Sequence, residues 1–185
     1  MSETAFNKIM SGAEDAAGMD PVLVRFQAES NKIEGINVVR QSEVEALQWL
    51  MSVNRLSVEN IRIYVQACQP DAILRDQPHL NVRVGNHVAP RGGPETTASL
   101  KLLLNTVNQR TISAFEAHVE YENIHPFTDG NGRSGRALWL WMHHGQAPLG
   151  FLHAFYYETL SFDPLGRRAR PSKPAAVSDA AGGGE

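Results

Sequence analysis

The apolar residues of this chain recur mainly at intervals of three and four, which is the spacing of one face of an α-helix. The first such block follows Asp20-Pro21, an N-cap residue and a proline at the first helical position. Several later blocks begin at Ser or Thr residues, which also cap helices. The predicted helices cover residues 21–35, a segment from a Ser42 capping box to 53, 57–68, about 95–107, a segment from Thr111 or Ser113 to 124, one containing 137–142, and 151–160.

The period changes to two at residues 80–84, where apolar and polar side chains alternate as they do in a β-strand. Gly85-Asn86 is a tight-turn dipeptide, and residues 87–89 can form the returning strand. The other interpretation of this segment is an ordinary loop with β character. The chain is therefore predicted to be mainly α, with one domain and one small β-hairpin.

The composition indicates the class of protein, but it does not indicate which reaction the protein catalyses. The 185 residues are 42% hydrophobic, which suits one globular domain with a sizeable core. The net charge of −3 lacks the basic excess of a nucleic-acid-binding protein, and the single Cys68 excludes an internal disulfide or a Cys-rich metal site. No signal or transit peptide fits the N-terminus, and no apolar run approaches the ~20 residues of a membrane span. We expect neither nucleic acid nor a membrane as a partner, and a cytoplasmic location, although a protein exported by another route would look the same.

Most of the candidate chemistry lies in one segment, IHPFTDGNGRSGR at residues 124–136, which precedes an apolar run. This order indicates a loop leading into a helix N-terminus, where unpaired N–H groups and the helix dipole favour phosphate. Arg133 and Arg136 are three residues apart and share a helix face, so they can clamp a polyphosphate. Asp129 is a suitable oxygen ligand for Mg²⁺, and His125 titrates near neutrality, which suits a general base.

An ordinary surface turn is the other interpretation of this segment. Asp-Gly-Asn-Gly is a common turn sequence, and a single His near a turn is usually solvated. The coincidence of a His, a carboxylate, two exposed-backbone glycines and two Arg in so short a segment favours a phosphate site.

The segment from His125 to Arg136 resembles the signature of the Fic family, His-Pro-Phe-x-Asp-Gly-Asn-Gly-Arg-x-x-Arg, and every specified position matches. The resemblance covers about residues 20–165 and implies a single Fic-like helical domain. It implies transfer of AMP from ATP, with Mg²⁺, to a Ser, Thr or Tyr hydroxyl of a target protein, with His125 as the catalytic base. The implied nucleotide-binding residues are Asp129, which also holds the metal, and Gly130, Asn131, Gly132, Arg133, Ser134, Gly135 and Arg136.

Glu34 lies in the last turn of the first predicted helix, where the dipole disfavours an anion. It could be a surface residue tolerated beside Lys32. However, Ser30, Glu34 and Gly35 also match the Fic inhibitory motif, Ser/Thr-x-x-x-Glu-Gly/Asn. This resemblance implies that Glu34 reaches Arg136 and blocks productive seating of the ATP γ-phosphate.

Two further assignments come only from the resemblance. The predicted hairpin, with Val82, Arg83, Val84 and Gly85, looks like the Fic flap, which overhangs the catalytic His and docks the target by strand addition. An aromatic pair in the family lines the adenine pocket, which implies that role for Tyr156 and Tyr157.

Three other functions stay open. The Doc branch of the same fold transfers the γ-phosphate instead, but it carries a Lys where this chain has Gly132 and lacks a full flap. A non-enzymatic nucleotide-binding regulator would not need His125 and Asp129. Removal of AMP, with Glu34 orienting water, is compatible with the sequence.

The ends of the chain are expected to lie outside the catalytic domain. Residues 1–19 are predicted to be a flexible N-terminus, and 166–185 a disordered tail rich in Arg, Pro, Ala and Gly. The target protein cannot be read from the sequence, and a homo-oligomer is compatible with it.

Overall fold

The computed structural model describes residues 18–84 and 87–146 of the chain. Several predictions therefore lie outside the described residues. They concern residues 1–17, Gly85, the helix at 151–160 with Tyr156 and Tyr157, and the tail at 166–185. No helix in the described part is both long and apolar enough to cross a membrane.

The described part of the chain is mainly helical, as predicted. Its strands pair as an antiparallel hairpin, with Arg83 opposite Val88 and Val84 opposite His87, so the strands are shorter than the sequence indicates. In chain order the elements are α1 (Pro21–Ile33), α2 (Gln41–Ser52), α3 (Val58–Cys68), β1 (Arg83–Val84), β2 (His87–Val88), α4 (Pro94–Asn108), α5 (Ala114–Ile124) and α6 (Asn131–Met142).

Helix α6 lies at the centre of the fold. It packs against α1, α2, α3 and α5, and every residue from 133 to 141 is buried. A helix that is buried on all sides is fixed by its neighbours rather than by its own propensity. The N-terminus of α6 is therefore held rigidly, and the segment before it carries most of the candidate chemistry.

Helix starts were mostly predicted from capping residues. The side chains of Asp20, Ser57 and Ser113 accept hydrogen bonds from the first turns of α1, α3 and α5. This confirms the first two N-caps and identifies Ser113, not Thr111, as the third. The Ser42 capping box is wrong, because α2 begins after Arg40 and the capping acid is Glu43, which accepts from Arg40 N at 3.1 Å.

An extended strap, residues 73–75, connects the helical core to the hairpin. It pairs with the loop before α6 through a bridge between Leu74 and Phe127. Arg75 N donates to Pro126 O at 2.8 Å, and Thr128 N donates to Ile73 O at 3.0 Å. The strap thus binds the chain leading into the hairpin to the candidate catalytic loop.

Candidate active site

His125 terminates α5 in a left-handed conformation, with φ 49° and ψ 62°. Such angles are uncommon for a residue with a side chain and persist only where the surroundings fix them. His125 N donates to Tyr121 O at 2.9 Å, which completes the last turn of the helix. The Nδ1 atom of His125 lies 4.0 Å from Glu122 Oε2, and both side chains are largely buried. The imidazole is therefore held at the junction of α5 and the loop that follows.

The side chain of Asn131 closes the loop between His125 and α6. Its Oδ1 accepts from Phe127 N at 2.9 Å, and its Nδ2 donates to Phe127 O at 2.8 Å. The Phe127 ring is fully buried and anchors the loop in the core. The side chain of Asn131 thus holds the loop, and its backbone N–H lies in the first turn of α6.

The N-terminus of α6 fits an anion. Its N-cap, Gly130, has φ 75°, and no described side chain caps the helix. The first-turn N–H groups, including those of Asn131 and Gly132, are therefore left for a ligand. Asp129 is exposed beside them, and its Oδ1 accepts from Gly130 N at 2.6 Å.

The predicted contact between Glu34 and Arg136 is present. Arg136 Nη2 donates to Glu34 Oε1 at 2.6 Å, although the two residues are 102 positions apart. Arg136 also donates to Ser30, from Nε to Oγ at 2.9 Å and from Nη2 to the carbonyl oxygen at 3.1 Å. The guanidinium is fully buried, whereas the Glu34 side chain is 34% exposed. Both polar residues of the Ser30-x-x-x-Glu34 motif therefore meet one arginine.

The end of α1 is built to present Glu34 at this place. Glu34 is the C-cap residue, and Gly35 follows with φ 76°. Gly35 N donates to Lys32 O and Ile36 N donates to Asn31 O, which is the Schellman arrangement of a helix C-terminus. The glycine thus ends the helix as predicted and leaves Glu34 facing α6.

Gly132 lies directly beneath the Glu34 carboxylate. A Cβ atom placed on Gly132 would lie 2.5 Å from Glu34 Oε1 and 3.1 Å from Arg136 Nη1. A real Cβ essentially never approaches an atom that closely, so a side chain here would displace the end of the Glu34 side chain. Glu34 therefore covers the first turn of α6, where phosphate is expected to bind.

The remaining residues that were predicted to bind the nucleotide form hydrogen bonds within the protein in this structure. Arg133 donates to Cys68 O at 2.8 Å and to Gln69 Oε1 at 3.1 Å, so its guanidinium faces α3, whereas that of Arg136 faces α1. Ser134 Oγ donates to Gly130 O at 2.9 Å. Their predicted roles toward a nucleotide stay predictions.

Gly135 allows α5 to approach α6 closely. A Cβ atom here would lie 2.8 Å from Glu122 Oε1 and 3.1 Å from His118 Nδ1. Burial lowers the pKa of His118 to about 4, so this imidazole is neutral near pH 7 and packs between α5 and α6.

Two residues near the site were missed by the sequence reasoning. Glu122 could have been found, because it lies in the last turn of the predicted helix, three residues before His125. Arg75 could not, because its side chain contacts residues that are 5 to 50 positions away.

Comparisons with known proteins agree with this architecture. No curated protein matches the chain. Among solved structures, a Fic domain-containing signaling protein from Bacteroides thetaiotaomicron matches with a TM-score of 0.52 and 17% identity, over 84% of this chain and 80% of that one. At this identity the match establishes a similar fold. The sequence profile of the Fic/DOC family matches residues 46–143, more than half of the chain, and the chain therefore belongs to the Fic/DOC family.

Proposed function

We propose that this protein is an adenylyltransferase that transfers AMP from ATP to a Ser, Thr or Tyr hydroxyl of a target protein, and that Glu34 inhibits it. Members of the Fic/DOC family transfer phosphate-containing groups such as AMP to proteins. The observation that carries the finer proposal is the Glu34–Arg136 pair, closed over Gly132 at the uncapped N-terminus of α6. An acidic side chain occupies the place where a phosphate would be bound.

In the proposed reaction His125 accepts the proton of the target hydroxyl as its oxygen attacks the α-phosphorus of ATP. The bond from the α-phosphorus to the bridging oxygen breaks, and pyrophosphate leaves. The N–H groups of Asn131 and Gly132 are preorganised donors for the negative charge that grows on the phosphate oxygens. Gly130 N donates to Asp129 Oδ1 in this structure. This hydrogen bond must break before Gly130 N can contact a phosphate, as predicted.

The residues present fit a Mg²⁺ ion that is shared with the nucleotide. Mg²⁺ is commonly held by one or two carboxylates together with substrate phosphates. Asp129 is exposed at the anion-binding turn, and the described residues contain no group of three side chains that would form a complete protein site. When bound, the ion supplies positive charge that neutralises the phosphates.

Inhibition would follow from competition for one cation. The Glu34 carboxylate and the γ-phosphate are both anions, and Arg136 is the buried donor that would bind either of them. While Glu34 holds Arg136, ATP must displace the carboxylate or bind without this contact. The protein as described is therefore in the inhibited arrangement of the proposal.

The surroundings of Gly132 favour AMP transfer over transfer of the γ-phosphate. The Doc branch carries a Lys at this position, and here a side chain would displace the Glu34 carboxylate from its place over α6. The glycine leaves that carboxylate in contact with Arg136. Removal of AMP would use the same residues as AMP transfer. The experiment below distinguishes the two reactions.

The test is mass spectrometry of the full chain after incubation with ATP and Mg²⁺, alone and with candidate targets. Glu34→Gly is compared with Lys32→Gly, which places the same flexible residue in the same exposed turn without touching Arg136. We expect an adduct with the mass of AMP on the Glu34→Gly protein. The wild-type protein and Lys32→Gly should carry little of this adduct.

Each other outcome has a defined meaning. A phosphate adduct would identify the Doc-like reaction, and loss of AMP from a target modified beforehand would identify removal. No adduct on the variant or on any target would refute the transferase proposal. Equal adducts on all three proteins would refute inhibition by Glu34 but keep the transfer.

A further inference from the structure

Arg75 is a fully buried cation outside the signature segment. Among the described ion pairs, none joins Arg75 to a carboxylate. Burial lowers the pKa of Arg75, but an arginine titrates so far above neutrality that it stays charged. A buried charge needs hydrogen-bond acceptors, so the partners of Arg75 indicate its role.

Among the described residues, the side chain of Arg75 donates to backbone carbonyl oxygens. Nη1 donates to His125 O at 2.5 Å, and Nε donates to Leu80 O at 2.8 Å. Nη2 donates to Pro90 O in a very short contact. Leu80 and Pro90 stand on either side of the segment that contains β1 and β2. One guanidinium thus joins both stems of the hairpin to the carbonyl of the proposed base.

Backbone contacts fasten the same region. Gly93 N donates to Arg75 O at 2.9 Å, and the strap pairs with the loop that contains Phe127. A Cβ atom on Gly92 would lie 2.5 Å from Gln77 O and 2.6 Å from Leu80 O, so the stems pass too close for a side chain. The hairpin stems, the strap and the catalytic loop are therefore tied together around Arg75.

We infer that Arg75 is a positioning residue, which holds the His125 carbonyl and therefore the imidazole at a fixed place relative to the hairpin. The inference rests on the proposed function, because that function makes His125 the base and the hairpin the docking element. Strand addition would place the target backbone on the hairpin. The target hydroxyl can then meet His125 reproducibly only if hairpin and imidazole keep one geometry.

The chemistry of the contact explains why an arginine stands at this position. The left-handed backbone of His125, with φ 49°, is strained and must be held by its surroundings. A guanidinium is planar and directs its donors in fixed directions, so it can satisfy three separate carbonyls at once. A lysine ammonium keeps the charge but not this fixed geometry.

The test compares Arg75→Lys and Arg75→Gln with Arg62→Gln, all in the full chain carrying Glu34→Gly. Arg62 is a matched control, because its guanidinium is exposed and pairs with Glu59 at the surface of α3. The first measurement needs no activity: it is NMR of isotope-labelled histidine, in which the His125 signals are identified by their loss in His125→Ala. The second measurement is the rate of self-modification with ATP and Mg²⁺, with kcat and the KM for ATP determined separately. Circular dichroism reports whether each variant folds.

We expect both Arg75 variants to fold, to shift or broaden the His125 signals, and to lower kcat by roughly tenfold or more, since small displacements of a reacting group are costly. The KM for ATP should stay nearly unchanged, and the Lys variant should retain more activity than the Gln variant. Arg62→Gln should match the parent in every measurement.

Unchanged His125 signals or an unchanged kcat in both variants would overturn the inference. A raised KM for ATP with normal kcat would overturn it too, because Arg75 would then serve the nucleotide. If neither variant folds, Arg75 is a folding residue and the inference is wrong. Failure of the proposed function looks different: the Glu34→Gly parent itself would modify nothing, while the His125 signals would still report on Arg75.

Discussion

Glu34→Gln tests the inhibitory contact most directly, because it keeps the size of the side chain and removes its negative charge. Arg136 is fully buried and would keep its bonds to Ser30, while the carboxylate would be replaced by a neutral amide oxygen as acceptor. We expect the variant to be less stable than the wild-type protein without nucleotide, since a buried cation loses its counter-ion. We also expect ATP with Mg²⁺ to stabilise it more, since the γ-phosphate no longer competes with a carboxylate.

The structure sets the size of both effects. A hydrogen bond to a charged group contributes about 1.5–3 kcal/mol, and an exposed ion pair about 0–1 kcal/mol. The Glu34 side chain is 34% exposed, and a Gln oxygen still accepts from Arg136, so we expect a loss of about 1 kcal/mol. For a chain of this size that lowers Tm by about 2–4 °C. A similar relief of competition would tighten ATP binding by somewhat less than about tenfold.

The assay is thermal unfolding over a series of ATP concentrations at fixed Mg²⁺, supported by calorimetric measurement of the Kd for ATP. Glu45→Gln is the control, because Glu45 is an exposed residue of α2 that accepts from Gln41. The reasoning predicts that the Tm of Glu34→Gln starts below that of the wild type and approaches it as ATP is added. If the two proteins have the same Tm without ATP and the same shift with it, the pair neither stabilises the fold nor guards the phosphate site.

Three further predictions concern single residues. His125→Ala should abolish transfer but keep the Kd for ATP within a few-fold, because the N-terminus of α6 is intact; equal rates in variant and wild type would remove His125 from the mechanism. Asp129→Asn should lower the transfer rate and raise the Mg²⁺ concentration that gives half of the maximal rate. An unchanged Mg²⁺ titration would contradict the proposal that Asp129 binds the ion. His118 has a pKa of about 4 when folded and about 6.5 when unfolded, so the unfolded chain binds more protons between these values. Stability should therefore fall as pH drops from about 6.5 to 4, by roughly 3 kcal/mol from this group, and urea unfolding of His118→Gln should show a smaller fall.

Helices were predictable wherever local chemistry decides where they start. Asp20, Ser57 and Ser113 cap their helices with their own side chains, and such signals can be read within four residues of sequence. The predicted capping box at Ser42 was wrong because the start of α2 depends on tertiary contacts. Glu43 is buried and accepts from Asn31 as well as from Arg40, so α1 helps to decide where α2 begins.

The site was predictable in part for the same reason. A contiguous signature indicated that the loop after His125 leads into a helix N-terminus, and the structure places that N-terminus at Gly130. The motif around Ser30 and Glu34 indicated the pair with Arg136. Spacing alone did not reveal that Arg133 and Arg136 contact different helices. Residues three apart share a face, but the direction of a long flexible side chain is set by acceptors that the sequence does not locate.

The N-terminus of α6 is approached from two sides that differ in their contacts. Glu34 reaches it through Arg136, and the hairpin reaches it through Arg75 and the His125 carbonyl. In the proposed mechanism the first contact controls ATP and the second controls the meeting of hydroxyl and base. Sites that share no partner have additive free energies. In Glu34→Gly with Arg75→Lys, the change in kcat/KM should therefore be the product of the two single changes, and kinetics of all four proteins would test this. If the change in the double variant differs from this product, α1 and the hairpin both act on His125. Release of Glu34 would then also change the position of the base.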